Sequence, residues 1–232
     1  MGDSDVNRED LLSNIRLWQQ RVGEASARWG GAEICGVSKT IDPETINLAW
    51  EGGIRTLGEN RVQELLGKID RLNPDFRIHL IGQLQTNKVK YIIDKVAMIQ
   101  SVDREALALE ISRRAEAAGV RMPVLVQVNI AREPQKAGID EELLVPFLRA
   151  CAELPGIEVQ GLMAIMPIAD DPEDVRPYFR RMRTWFDRLR DDPIPGVAMR
   201  TLSMGMSDDC LVAAEEGATM VRLGRALFGA RS

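Results

Sequence analysis

The chain has 232 residues, with 30 Lys and Arg, 35 Asp and Glu, one His and three Cys, and 45% of its residues are apolar. This composition is typical of one large or two small globular domains and not of a disordered segment. The net charge of −5 disfavours a general nucleic-acid-binding protein, because neutralising phosphates requires a surplus of Lys and Arg. A single His also excludes most zinc sites and every catalytic scheme that needs two imidazoles.

The cysteines and the N-terminal segment indicate a cytoplasmic protein. Cys35, Cys151 and Cys210 are too widely spaced for a C-x-x-C pair and too few for a disulfide framework, so we expect buried thiols in a reducing compartment. The N-terminal segment is acidic and polar, unlike a secretory signal or an Arg-rich transit peptide. No apolar stretch approaches the roughly 18 residues of a membrane helix, so no membrane partner is expected.

Eight short apolar segments have the composition of strands and are bordered by Gly, Pro or Asn. They are Ile34–Ser38, Ile54–Gly58, Ile78–Gly82, Met98–Val102, Val124–Ile130, Val159–Ala164, Arg200–Met204 and Thr219–Leu223. Apolar residues at helical spacing predict helices after every strand but the last. The clearest are Arg104–Ala118, Glu141–Glu153 and Pro172–Arg190, and an extra helix at Arg8–Trp29 precedes the first strand.

This alternation of strands and helices predicts an α/β fold with a parallel sheet. Eight strand–helix units in about 200 residues favour a closed (β/α)8 TIM-type barrel. An open doubly wound sheet is the alternative, but no G-x-G-x-x-G follows the first strand, as a dinucleotide fold would require. We therefore predict one domain over residues 1–232, with the extra helix in residues 1–30 and the barrel in residues 31–232.

Lys39 is the first candidate for chemistry, because it directly follows the first strand. In such barrels the functional groups lie at the carboxyl ends of the strands and in the loops after them. A lysine partly removed from water at the barrel mouth can form a Schiff base with an aldehyde. The alternative is a lysine whose ammonium reaches from the strand end to solvent.

The loops after strands seven and eight are candidates for a phosphate site. Residues 203–209 (SMGMSDD) offer two hydroxyls and several backbone N–H groups before a predicted helix, which suits a phosphate. Alternatively, Ser207 caps that helix while Asp208 and Asp209 favour its dipole. Residues 222–225 (RLGR) add two cations and a glycine, and phosphate sites after strands seven and eight recur in these barrels.

Four further residues each have a functional and a structural interpretation, and a fifth has mainly a structural one. Asn60 either contacts a ligand or caps a helix, and Glu59 and Glu64 are either a base with its support or acids at a helix start. Lys136 is either a second amine near the barrel mouth or a solvated loop residue. His79 lies inside a predicted strand, so we expect a core residue and not a ligand.

An amine after strand one and a phosphate cradle after strands seven and eight would together hold an aldehyde phosphate, and pyridoxal 5′-phosphate (PLP) fits that description. Seven segments between about Ile34 and Arg231 strengthen this interpretation: VSKT, GENRVQE, HLIGQLQTNK, NIAREPQKAG, GLMAI, LSMGMSDD and VRLGRALFGAR. In these segments the chain closely resembles the pyridoxal phosphate homeostasis proteins, also called the YggS/PROSC family.

The resemblance implies a barrel like the N-terminal domain of alanine racemases, with PLP at its mouth. It implies that Lys39 is the Schiff-base lysine, that Arg222 faces the pyridine nitrogen, and that Ser207, Gly224 and Arg225 hold the phosphate. The whole set of cofactor-binding residues implied in addition to the lysine is Asn60, Met163, Ser203, Met206, Ser207, Arg222, Gly224 and Arg225. Arg225 is a departure, because relatives often carry Ser or Thr there.

The resemblance also implies a role in vitamin B6 homeostasis, without turnover, and PLP-dependent apo-enzymes as candidate partners. An alanine racemase needs a second domain with a catalytic Tyr. Here the two tyrosines, Tyr91 and Tyr178, fall in predicted helices, and no such domain follows Arg231. Two alternatives remain: a small PLP-dependent racemase that uses Lys39, and a Schiff-base phosphate-sugar aldolase that uses Lys39 or Lys136.

Overall fold

Eight parallel strands form a closed barrel within residues 8–229, the part of the chain that the computed structural model describes. Each strand pairs with the next along the chain, and the last pairs with the first. The strands are β1 (Glu33–Val37), β2 (Thr56–Glu59), β3 (Arg77–Leu80), β4 (Met98–Val102), β5 (Met122–Val128), β6 (Ile157–Ala164), β7 (Val197–Ser203) and β8 (Met220–Leu223). The predicted (β/α)8 barrel is confirmed, while residues 1–7 and 230–232 of the predicted domain lie outside the described residues.

Helices connect the strands on the outside of the barrel. They are α1 (Arg8–Ser26), α2 (Pro43–Glu51), α3 (Val62–Lys68), α4 (Glu105–Ala117), α5 (Glu141–Ala152), α6 (Arg176–Asp191), α7 (Cys210–Glu215) and α8 (Arg225–Phe228). Short 3-10 helices occur at Ala27–Trp29, Ile69–Arg71, Thr86–Tyr91 and Pro172–Val175. The predicted N-terminal helix is thus present, and α1 packs against α2, α7 and α8.

Two predicted helices differ from the observed ones for reasons of local sequence. The segment after β3 forms only the 3-10 helix Thr86–Tyr91, where Thr and Asn at the start and a β-branched Val89 are weak α-helix formers. The long helix predicted from Pro172 is divided into a 3-10 turn and α6. Pro177 lies in the first turn of α6, where its missing N–H removes a hydrogen bond that would join α6 to the preceding turn as one α-helix.

A side chain caps the start of α2 but not that of α4. Asp42 precedes α2, and its carboxylate accepts a hydrogen bond from the Thr45 backbone N–H at 2.8 Å. Before α4, the carboxylate of Asp103 instead pairs with the Arg104 guanidinium at 2.6 Å, and Arg104 occupies the N-cap position. Asp103 therefore does not cap α4.

Burial of apolar surface holds strands and helices together. Leu107 and Ile111 of α4 and Phe179 of α6 are fully buried in the layer between sheet and helices. Each contributes about 1.5–3 kcal/mol relative to an exposed side chain. The predicted Cys35, Cys151 and Cys210 are also buried, and burial raises the pKa of each thiol to about 12, so they stay protonated.

No helix within residues 8–229 is both long enough and apolar enough to cross a bilayer.

Candidate functional site

A cavity of about 420 Å³ opens at the carboxyl ends of the barrel strands. Its lining combines apolar walls with charged and hydroxyl side chains from β1, β8 and the segments that follow β1, β2, β3, β6, β7 and β8. The lining residues are Val37, Lys39, Asn60, Ile81, Ile165, Met206, Ser207, Asp208, Arg222, Gly224 and Arg225. The cavity therefore brings together the amine and the phosphate-type donors that the sequence placed at separate strand ends.

Lys39 lies in the turn after β1 and is half-buried. The preceding residue, Ser38, is fully buried, and the following residue, Thr40, has a φ of +64°. A left-handed conformation is unfavourable for a β-branched residue, so the surrounding structure must hold the chain in this turn. The strand end and this turn direct the side chain of Lys39 to the cavity wall.

Arg222 of β8 forms the buried floor of the cavity, and only 3% of its surface is exposed. Its guanidinium donates hydrogen bonds to Ser203 Oγ at 2.7 Å and to the Ala164 carbonyl at 2.9 Å. Burial lowers the pKa of Arg222, but an arginine remains a cation at neutral pH. The site thus contains a fixed positive charge whose hydrogen-bond partners are neutral.

A chain of buried polar groups supports Arg222 from below. Ser203 Oγ donates to Gln100 Oε1 at 2.7 Å, and Gln100 Nε2 lies 2.9 Å from His79 Nδ1. Burial, with the Arg77 charge adding to it, lowers the pKa of His79 to about 4. A neutral imidazole can accept the Gln100 hydrogen bond at Nδ1. His79 is therefore the core residue that the sequence predicted, with a role in holding Arg222.

Ser207 is turned toward the start of α8 and does not cap α7. Its Oγ accepts from the backbone N–H of Gly224 at 3.4 Å and of Ala226 at 3.2 Å, whereas Asp209 occupies the N-cap position of α7. The alternative in which Ser207 caps that helix is therefore wrong. A hydroxyl and two backbone N–H groups meet at this corner of the cavity, with the cation of Arg225 nearby.

The two acidic residues of this loop are both accounted for. Asp208 pairs with Arg225 at 2.7 Å, and both side chains are exposed. The Asp209 carboxylate accepts from the Met206 backbone N–H at 2.6 Å, and burial raises its pKa despite that hydrogen bond and the Arg222 charge. Arg225 thus neutralises the one carboxylate that lines the cavity.

Asn60 lines the cavity, and its Oδ1 atom is buried with no hydrogen-bond partner among the described residues. A buried acceptor without a partner costs about 1–3 kcal/mol, so this atom is suited to a ligand donor. Asn60 does not cap α3, whose N-cap position belongs to Arg61. Gly82 approaches closely, since a Cβ there would lie 2.2 Å from the Asn60 carbonyl oxygen.

Other candidates from the sequence lie away from the cavity wall. Met163 packs with Met98 and Leu125 in a small apolar cluster separate from the main core. Ser203 lies behind Arg222 and reaches the cavity only through it. Lys136 donates to the Met166 carbonyl at 3.1 Å and is not among the described lining residues.

The sequence-based reasoning missed the apolar walls Ile81 and Ile165, the buried Gln100 and the buried ammonium of Lys68. Lys68 lies 2.8 Å from Glu59, one of the acids singled out above. Lys68 also pairs with Glu64 at 3.1 Å, and the spacing of four residues on a helix was the available signal for that second ion pair. That Lys68 is buried depends on the barrel, so no local pattern indicated it.

Tyr91 and Tyr178 lie in helical segments, as predicted, and neither lines the cavity. Within residues 8–229 no group of three or more metal-ligating side chains forms a metal site.

Comparisons with known proteins show what the whole chain is similar to. Residues 6–232 match the family model described as alanine racemase, N-terminal domain. The chain is 46% identical to a pyridoxal phosphate homeostasis protein of Aquifex aeolicus over 97% of this chain and 99% of that protein. It is also similar to the solved structure of Synechococcus elongatus PipY with PLP bound (TM-score 0.84, 32% identity, covering 94% of this chain and 100% of that one). An alanine racemase of Corynebacterium glutamicum shares the fold at 18% identity (TM-score 0.74), covering 97% of this chain and 62% of the racemase.

Proposed function

Because this chain belongs to the pyridoxal phosphate homeostasis proteins, we propose that it binds PLP for vitamin B6 homeostasis and holds the cofactor covalently on Lys39. The observation that carries the proposal is the meeting of Lys39, Arg222 and the Ser207–Gly224 corner in one cavity of about 420 Å³. Each group suits a different part of PLP: an amine for the aldehyde, a cation for the pyridine nitrogen, and N–H donors for the phosphate.

An unpartnered polar atom and the apolar walls of the cavity support the fit. Asn60 Oδ1 is a buried acceptor that a hydroxyl donor on the ring would satisfy. Ile81, Ile165 and Met206 offer apolar contacts for the two faces and edges of a flat ring. Met163 and Ser203 belong to the support beneath the cofactor, since neither forms part of the cavity wall.

Lys39 supplies the amine. When bound, PLP offers an aldehyde that condenses with an amine to a C=N bond and releases one water, and the ammonium proton passes to solvent. Lys39 must therefore present a neutral Nζ to the aldehyde carbon, and its half-buried place at the cavity wall serves that step.

Arg222 favours storage of the cofactor over turnover. A buried cation whose hydrogen-bond partners are neutral disfavours protonation of the pyridine nitrogen. Without that proton the ring withdraws electrons less strongly, and carbanion chemistry slows. We therefore propose a carrier without turnover of its own, and not a small racemase or a phosphate-sugar aldolase.

Ser207, Gly224 and Arg225 are assigned to the phosphate. Two backbone N–H groups already converge on Ser207 Oγ. A small movement of the Ser207 side chain would let them donate to phosphate oxygens. Arg225 adds positive charge to this corner, and it offsets Asp208 at the same time. The corner therefore accepts a dianion despite its acidic neighbour.

The proposed setting is the cytoplasm, where three free buried thiols are stable. The partners are PLP and PLP-dependent apo-enzymes that receive it, with no nucleic acid and no membrane, in keeping with the net charge of −5.

The test combines a visible spectrum with a turnover assay. Purified wild-type chain, Lys39→Ala and Lys136→Ala are each titrated with PLP, and the Schiff-base absorption band is followed. We expect the band in the wild type and in Lys136→Ala and its loss in Lys39→Ala. Incubation of loaded protein with single amino-acid enantiomers should give no sustained racemisation. If the amount of amino acid racemised exceeded the amount of protein and the reaction required Lys39, the protein would be a racemase and not a carrier. If borohydride trapped a sugar phosphate on the protein in the absence of PLP, the protein would be an aldolase.

A further inference from the structure

We propose that Lys68, with Glu59 and Glu64, positions Lys39 by fixing the main chain on both sides of it. This inference rests on the proposed function, because it explains how the Lys39 amine is presented to the cofactor. Lys68 is argued to act through Lys39 and is a positioning residue, not a catalytic one.

The ammonium of Lys68 is the centre of the network. It donates to the Ser38 carbonyl oxygen at 2.7 Å and lies 2.8 Å from Glu59 Oε1 and 3.1 Å from Glu64 Oε1. These contacts use all three donors of an ammonium. Only 7% of the Lys68 side chain is exposed, so water cannot replace these partners of the ammonium.

The network holds the residue before Lys39 at two atoms. Ser38 Oγ donates to Glu59 Oε1, while the Ser38 carbonyl accepts from Lys68. Glu59 is fully buried at the end of β2. Burial raises the pKa of Glu59, with the hydrogen bonds from Lys68 and Ser38 acting against it. The hydrogen bonds that lower the pKa of Glu59 therefore come from Ser38 itself and from Lys68, which also binds the Ser38 carbonyl.

The residue after Lys39 is held by the other carboxylate. The Thr40 backbone N–H donates to Glu64 Oε1 at 2.5 Å, and Thr40 is held at a φ of +64°. This contact and the Lys68 ammonium outweigh burial and lower the pKa of Glu64. Glu64 and Lys68 stand four residues apart on α3, so one helix carries both ends of the clamp.

Stability alone does not account for such a network. A buried ion pair returns about as much energy as its desolvation costs, and apolar replacements of similar size are often neutral or better. Here both charged partners contact the two peptide units that flank a single half-buried lysine. Holding that lysine within reach of an aldehyde carbon, about 3–3.5 Å for reacting atoms, is the benefit that this geometry provides.

The test separates covalent attachment from binding of the rest of the cofactor. The two probes are PLP and pyridoxine 5′-phosphate, which carries an alcohol in place of the aldehyde. The variants are Glu64→Gln and the charge-neutral Glu59→Gln/Lys68→Met, which removes both charges of the fully buried pair together. Glu141→Gln is the matched control, because Glu141 is also buried and ion-paired, with Arg181.

We expect Glu59→Gln/Lys68→Met to weaken PLP binding by roughly tenfold to a hundredfold, the range found when groups that orient a ligating side chain are removed. Glu64→Gln should show a smaller loss, and the Schiff-base band should shrink in both. Affinity for pyridoxine 5′-phosphate should change by less than about threefold, because it does not depend on where Nζ points. Glu141→Gln should bind both probes as the wild type does.

Two results would overturn the inference. One is an unchanged preference for PLP over pyridoxine 5′-phosphate in variants that still unfold cooperatively. The other is an equal loss of affinity for both probes, which would indicate general damage to the cavity. Absence of the preference and of the band in the wild type would instead overturn the covalent attachment that the proposed function requires.

Discussion

Each side of the cavity contains an ion pair, and the two pairs differ in burial. On the Lys39 side, Lys68 and Glu59 are buried and pair at 2.8 Å. On the phosphate side, Arg225 and Asp208 pair at a similar 2.7 Å, but their side chains are 59% and 78% exposed. The first pair contacts the main chain next to the proposed attachment lysine, whereas the second lies at the rim beside backbone donors.

This difference separates a fixed region from an adjustable one. A buried charge whose partner is removed cannot be solvated, while exposed partners exchange each other for water and ions at little cost. Substitutions on the Lys39 side should therefore misplace the Lys39 side chain and lower the free energy of unfolding. The phosphate side should respond mainly through affinity and salt dependence.

The largest expected effect comes from breaking the buried pair. Lys68→Met leaves Glu59 and the Ser38 carbonyl without their partner, so we expect a loss of about 3–5 kcal/mol in the free energy of unfolding. Urea denaturation monitored by circular dichroism measures it. Comparable losses for Lys68→Met and Arg225→Ser would remove the distinction between the two sides.

The barrel interior beneath Arg222 provides a pH test of the fixed region. The unfolded chain takes up a proton at His79 near its ordinary pKa of 6.5, but the folded chain does so only near pH 4. Stability should therefore fall as the pH drops from about 6.5 to 4, by up to about 3 kcal/mol from this group.

The matched variant for this test is His79→Asn, whose Oδ1 can accept the Gln100 hydrogen bond but does not titrate. Unfolding curves from pH 4 to 8 for both proteins cancel the other titrating groups, including Glu59. The difference in stability between the two proteins should depend on pH in this window. A constant difference would contradict a neutral, buried His79.

Rigid backbone packing near Asn60 predicts an intermediate effect. In Gly82→Ala the new Cβ would meet the Asn60 carbonyl oxygen at 2.2 Å, so we expect a loss of about 1–3 kcal/mol and weaker PLP binding. Gly67→Ala in α3 is the control, because nothing lies within 4 Å of a Cβ there and Ala favours helix. If Gly82→Ala were as stable as Gly67→Ala, this wall of the cavity would be adjustable too.

The smallest effect on stability belongs to the rim. Arg225→Ser should change the free energy of unfolding by less than about 1 kcal/mol, because the pair is exposed. It should nevertheless weaken PLP binding several-fold at low salt by leaving Asp208 beside the phosphate. Asp208→Asn/Arg225→Ser should restore part of that affinity. No change of affinity in Arg225→Ser at any salt concentration would place the phosphate elsewhere.

Much of the fold and part of the site could be predicted from sequence because the signals are local. Eight apolar segments alternating with helical patterns sufficed for the barrel, and a barrel assigns functional roles to strand ends. Lys39 and Arg222 could be singled out this way, and the cavity brings both together. His79 could be assigned to the core because it lies within a strand.

What could not be predicted depends on contacts between distant segments. In the sequence Lys68 has the position of an ordinary helix-end cation, but in the structure it is buried in contact with Ser38 after β1 and Glu59 of β2. Ser207 has the sequence pattern of a helix cap, but its hydroxyl accepts from backbone groups 17 and 19 residues further on. Both residues depend on contacts that no periodicity encodes.

The most direct test of the account is to reduce the PLP-loaded wild-type chain with borohydride and map the modified lysine by peptide mass spectrometry, with Lys39→Ala and Lys136→Ala in parallel. The account predicts one phosphopyridoxyl group per chain on the peptide that contains Lys39, unchanged in Lys136→Ala and absent from Lys39→Ala. A phosphopyridoxyl group on Lys136 or another lysine in the wild type, or none at all, would contradict it.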